Sequence, residues 1–150
     1  MSSLRELYQE IIVDHGRHPR HFGKLANANH SQEGHNPLCG DKVKLYVCEE
    51  NGVVQEALFE GSGCAIAMAS ASLMLESIKG KTLVQIEKMF ASFHRLVTQG
   101  ICDSEIENNL GKLAVFQGVA EFPVRVKCAT LAWHTLNAAL LGSSEKVSTE

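Results

Sequence analysis

The chain has 150 residues, of which 45% are apolar and 21% charged, with a formal net charge of −3. That is the size and apolar content of one domain spanning 1–150 with a real core, and it offers no global basic field for a phosphate backbone, so nucleic acid is excluded as an expected partner. The longest apolar tract, Cys64 to Leu75, is interrupted by serines and too short for a bilayer, and Arg5, Glu6 and Glu10 break any leader-like start, so no membrane association and a cytoplasmic address are expected.

In chain order, Leu4, Leu7, Tyr8, Ile11 and Ile12 recur at helical steps over residues 2–14, with Ser2 or Ser3 as cap and an end near Gly16. The segment from His15 to Pro37 shows no hydrophobic period. It carries five histidines (His15, His18, His21, His30, His35) among prolines, glycines and asparagines and reads as a long irregular stretch, with the histidines solvated. From Lys42 to Cys48 the alternation of Val43, Leu45 and Val47 predicts a strand with Cys48 on the opposite face. Asn51-Gly52 marks a hairpin turn into a second strand carrying Val53, Ala57 and Phe59, and a third short strand is expected near the break at Glu60-Gly61-Ser62-Gly63.

After Cys64, small helix-forming residues predict a tightly packed helix closed by Gly80. Thr82 and Gln85 form a capping box for a helix whose stripe is Leu83, Ile86, Met89, Phe90, Phe93, Leu96 and Val97, stopped by Gly100. Helical turns are expected after Ser104 and near 110–116. Pro123 opens a last helix that runs to Gly142, and the final eight residues read as frayed. The fold class is therefore α+β: a small antiparallel three-stranded sheet packed against several helices.

Five cysteines, at 39, 48, 64, 102 and 128, are an odd number without a Cys-x-x-Cys pair. In a chain with no export signal they are thiols, and any shared site must be assembled by the fold. Cys39 and Asp41 share one tight turn, Asn36-Pro37-Leu38-Cys39-Gly40-Asp41. Cys64 opens a helix, whose dipole would favour a thiolate, and Cys128 follows Arg125 and Lys127, which would do the same if they lie near it. Such donors bind zinc or an iron–sulfur cluster, and a thiolate is also a nucleophile that accepts sulfane sulfur. From spacing alone, the commoner reading of such cysteines is as small buried core residues.

Three segments alter that balance. Asn-Pro-Leu-Cys-Gly-Asp (36–41), Gly-Ser-Gly-Cys-Ala-Ile-Ala-Met-Ala-Ser-Ala-Ser (61–72) and Phe-Pro-Val-Arg-Val-Lys-Cys-Ala-Thr-Leu-Ala-Trp (122–133) together resemble the IscU/NifU-N-like iron–sulfur assembly proteins. Lys127 before Cys128 and the long interval from Cys64 to Cys128 resemble the SufU branch. Leu38, and His134 after Trp133, depart from the family pattern without touching a candidate ligand. The resemblance implies Cys39, Asp41, Cys64 and Cys128 as ligands of a zinc ion and Cys39 as the thiol that receives sulfur from a SufS-like cysteine desulfurase. It also implies delivery to acceptor apoproteins or downstream assembly proteins.

The expected function is thus that of a zinc-containing sulfur acceptor, sulfurtransferase-like and dependent on its desulfurase. Two alternatives stay open. One is a scaffold that builds and transfers a transient 2Fe–2S cluster on the same ligands, and the other is a purely structural zinc domain. A cysteine hydrolase has no histidine paired with a cysteine by a local motif. Cys48 and Cys102 match no motif. Arg125 is read as either steadying a carboxylate at the site or lying solvated, and His134 as a surface residue.

Overall fold

The computed structural model describes residues 2–142 and 147–148. Helix α1 (Ser2–Arg17) is followed by strands β1 (His30–Asn36), β2 (Asp41–Glu50) and β3 (Val53–Ser62), then helices α2 (Ala65–Ile78), α3 (Leu83–Gln99) and α4 (Ser104–Leu110). A 3-10 helix (Gly111–Glu121), helix α5 (Pro123–Leu140) and a two-residue strand β4 (Val147–Ser148) complete the described chain.

The sheet has four strands in the order β3-β2-β1-β4, one more than the sequence predicts. Asn51 and Gly52 both take positive φ, 55° and 78°, which gives the tight two-residue turn between β2 and β3. The pairing slips between Cys48 and Glu49, since Cys48 faces Glu56 and Glu49 faces Val54. This bulge brings Val54, rather than the expected Val53, into the core with Ala57 and Phe59, and Cys48 is buried beside Asn27. No separate strand forms at 60–63, because β3 runs through to Ser62.

The strand missing from the sequence reading is β1, which lies inside the segment expected to be irregular. Its inward positions are Gln32, Gly34 and Asn36, polar or side-chain-free, so the alternation is real but invisible to hydropathy. Helix α5 lies against this strand, and a methyl group at Gly34 would run into Thr135 Oγ1. The expected frayed tail falls partly outside the described residues, at 143–146 and 149–150, but Val147 and Ser148 pair in parallel with Gly34 and His35.

Helix α2 sits at the centre, with every residue from Ala67 to Leu75 buried. Its alanines and serines let α1 and α5 approach closely, and the two deepest serines are both hydrogen-bonded. Ser70 Oγ donates to the carbonyl of Ala129 at 2.6 Å, which ties α2 to α5. Ser72 Oγ accepts from the backbone N–H of Arg20 at 2.9 Å and lies 2.8 Å from His15 Nδ1. The hydroxyl, with one donor and two lone pairs, can serve the Arg20 amide and the His15 ring together. His15 is thus a buried residue of α1 and not a solvated loop histidine.

From α1, Tyr8, Ile11 and Ile12 pack on the core, whereas Leu7 from the expected stripe is half-exposed. Helix α3 begins at the predicted capping box and ends at Gly100 with φ 68°. Trp133 of α5 stacks on Phe93 and Phe90, at centroid distances of 5.1 and 6.1 Å, and Phe93 meets Phe116 edge-on at 5.7 Å. Full burial of each such side chain contributes about 1.5–3 kcal/mol.

Candidate metal and sulfur site

Three junctions of the fold converge on one spot: the β1–β2 turn, the β3–α2 junction and the second turn of α5. Asn36 builds the first of them. Its carbonyl accepts from the N–H groups of Cys39 and Gly40 at 3.3 and 2.9 Å, and its side-chain oxygen accepts from Leu38 N–H at 3.3 Å. Gly40 takes φ 72°, so the chain reverses in four residues and leaves Cys39 at the exposed tip.

Asp41 is the first residue of β2 and is 0% exposed. Its Oδ1 accepts from the N–H of Cys64 at 2.8 Å, and Oδ2 lies 3.9 Å from Cys64 Sγ. Cys64 caps α2, with Sγ accepting from Ala67 N–H at 3.4 Å. Gly63 makes this approach possible, since its φ is 154° and an added methyl would run into Asp41 Oδ1. Cys128 is 2% exposed, and its Sγ lies 3.4 Å from Cys39 Sγ. The amide of Asn36 bridges the buried side, donating toward Asp41 Oδ2 at 3.4 Å and Cys128 Sγ at 3.5 Å.

The structure therefore brings together the four side chains singled out in the sequence. Donor atoms of Cys39, Asp41 and Cys128 lie within 4.8 Å of one another, and Cys64 adjoins them through Asp41. Around a zinc ion bound by sulfur at about 2.3 Å and oxygen at about 2.0 Å, a tetrahedron has edges of about 3.5–3.8 Å. The observed 3.4 Å between sulfurs is about 0.4 Å short of its edge and the observed 3.9 Å between sulfur and oxygen about 0.4 Å long, so the donors lie near tetrahedral spacing without holding it. Among the described residues this is the one cluster of three or more metal-ligating side chains, and it contains no histidine.

Electrostatics points the same way. Burial pushes the Cys64 thiol above its ordinary range, more than the Ala67 amide lowers it. Burial, followed by the hydrogen bonds with Asp41 and Cys39, pushes Cys128 up strongly. The helix start alone therefore does not make Cys64 a thiolate. Arg125 does not assist Cys128 either, because its guanidinium lies over the Phe122 ring at 4.4 Å. Among the described residues Asp41 forms no ion pair, so a buried carboxylate with three sulfurs at its side is a set of anions in waiting whose natural complement is a cation.

Sequence reasoning named Asn36 and Gly63 only as members of motifs. Their roles follow from contacts that span the fold, 92 positions in the case of Asn36 and Cys128. Cys102 lies in the loop before α4, while His134, read as a surface residue, is half-buried and packs edge-on against Phe90 at 5.3 Å.

The model of the NifU-like N-terminal domain matches residues 7–129. The zinc-dependent sulfurtransferase SufU of Bacillus subtilis is 40% identical over 135 residues, covering 90% of this chain and 90% of the relative. The iron–sulfur cluster assembly scaffold protein IscU of Thermotoga maritima is also 40% identical, over 91% of this chain and 94% of its own length. A solved structure from Fervidobacterium islandicum AW-1, a candidate scaffold protein of the SUF iron–sulfur system, superposes with a TM-score of 0.81 at 38% identity, covering 87% of this chain and 94% of that one. With the family match running from α1 into α5 and relatives aligned along nearly their whole length, the chain belongs to the NifU-like N-terminal domain family.

Proposed function

We propose that this chain serves iron–sulfur cluster assembly as a zinc-containing sulfur acceptor, with Cys39, Asp41, Cys64 and Cys128 as ligands and Cys39 as the accepting thiol. The observation that carries the reading is the asymmetry of the site: Cys39 is exposed at a turn tip, while Asp41 and Cys128 are buried behind it. A structural zinc site closes around its metal. Here one ligand faces outward, where the persulfide of a partner protein can reach it.

When bound, zinc keeps these sulfurs as thiolates at neutral pH, against the burial that otherwise raises them. Cys39 then attacks the outer sulfur of a desulfurase persulfide, and the desulfurase cysteine leaves as a thiolate. Asn36 holds the turn in register with Asp41 and Cys128, and Asp41 anchors the Cys64 backbone. The partner proposed is a SufS-like cysteine desulfurase, and the recipients are acceptor apoproteins or downstream assembly proteins. The whole chain acts as one domain. Five free thiols suit a reducing cytoplasm, and among the described residues no helix is long and apolar enough to cross a membrane.

A second reading is favoured by the equal identity to a scaffold relative, 40% in both cases. In it the same four ligands hold a transient 2Fe–2S cluster, with Asp41 as the weaker, exchangeable oxygen ligand. Sulfur transfer with labelled cysteine and a desulfurase, in wild type and Cys39→Ala, tests the first reading. Label on the wild-type chain that is lost in the variant supports it. Iron and acid-labile sulfide in equal amounts on the anaerobically purified chain, with no label on Cys39, would replace it with the second.

A further inference from the structure

The 3.4 Å contact between Cys39 and Cys128 joins two thiols of opposite accessibility. Cys39 is exposed, and Cys128 is 2% exposed, behind it on α5. Sulfur delivered from outside therefore arrives on the solvent side of Cys39 Sγ, with Cys128 Sγ already on the opposite side. Thiol–disulfide exchange requires the attacking sulfur, the attacked sulfur and the leaving sulfur to lie in line. We infer that Cys128 is a resolving thiol: it attacks the inner sulfur of a persulfide on Cys39, forming a Cys39–Cys128 disulfide and expelling the outer sulfur as hydrosulfide. This step rests on the reading of Cys39 as a sulfur acceptor and adds to it the form in which sulfur leaves.

The step balances without an added reactant. The protonated persulfide of Cys39 and the thiolate of Cys128 give the disulfide and HS⁻. The bond between the inner and outer sulfurs breaks as the new S–S bond forms. The outer sulfur takes up two electrons, and the two cysteine sulfurs become a disulfide. A dithiol reductant then restores both cysteines. Attack on the outer sulfur, the competing path, would only move the persulfide to Cys128, which is 2% exposed behind Cys39 and has little room for an added sulfur.

The test uses the full chain under anaerobic conditions, loaded in one arm by a desulfurase with cysteine and in the other by inorganic polysulfide, each followed by rapid desalting so that no small thiol remains. Sulfide release is timed, thiols are trapped by alkylation, and peptides are mapped by mass spectrometry. The expected result is one sulfide released per chain together with a Cys39–Cys128 linkage. In Cys128→Ser the Cys39 peptide should keep its added sulfur, with release at least tenfold slower. A wild-type chain that retains persulfide on Cys39 with no linkage in either arm overturns the inference, as does linkage of Cys39 to Cys64 instead, and neither observation depends on the variant folding. If polysulfide yields the linkage while the desulfurase delivers nothing to Cys39, the step stands and the acceptor reading fails. If the desulfurase labels Cys39 and no linkage follows in either arm, the acceptor reading stands and the step fails.

Discussion

Asn36 joins the exposed turn to the buried side chains proposed as ligands, and its amide donates toward both Asp41 Oδ2 and Cys128 Sγ. Groups that orient ligands in this way typically contribute about 10–100-fold to metal affinity. Asn36→Ala should therefore bind zinc about tenfold or more weakly in competition with a chromophoric chelator, with the four ligands intact; unchanged affinity would remove Asn36 from the site. At Gly63 the added methyl meets a carboxylate oxygen on a backbone of φ 154°, a conformation L residues avoid. Gly63→Ala should lose about 1–3 kcal/mol of stability in urea unfolding and weaken zinc binding at the same time. The four proposed ligands are legible because three motifs carry them, whereas the parts of Asn36 and Gly63 depend on which distant elements come together, and no local pattern encodes that.

Helices α1 and α2 meet at a buried, neutral His15 bonded to Ser72. Burial, with Arg20 nearby, holds His15 below the ordinary histidine range, and burial together with His94 does the same for His134. The folded chain thus binds fewer protons than the unfolded one below about pH 6.5, so stability contributed by these rings is present above that pH and is lost as pH falls through the folded values. Thermal midpoints should drop between pH 7 and pH 5, and His15→Gln should flatten the drop, more so when combined with His134→Gln. Equal slopes in wild type and the double variant would contradict the assignment. The packing of α5 on β1 gives a further check, because Gly34→Ala meets Thr135 Oγ1 and should cost about 1–3 kcal/mol, part of which Thr135→Ala restores. Small helix-forming residues revealed α2, and periodicity revealed α3 and α5. It failed for β1, whose buried face is Gln32, Gly34 and Asn36, since burial there is satisfied by close approach and hydrogen bonding and not by apolar area.

For the molecule as a whole, the sheet and the central helix α2 hold three chain junctions, far apart in sequence, against each other with one side open to solvent. The α+β class followed from the order of elements, and the shared location of Cys39, Asp41, Cys64 and Cys128 from the resemblance of three ordered segments. Their unequal exposure, with Cys39 at the surface and Asp41 and Cys128 buried, comes only with the folded chain. The most direct test of this arrangement is X-ray absorption at the zinc edge of the chain as purified. The account predicts three sulfur neighbours at about 2.3 Å and one oxygen at about 2.0 Å, with one sulfur lost in Cys39→Ala. A first shell with fewer than three sulfurs, or one built on imidazole nitrogen, would contradict it.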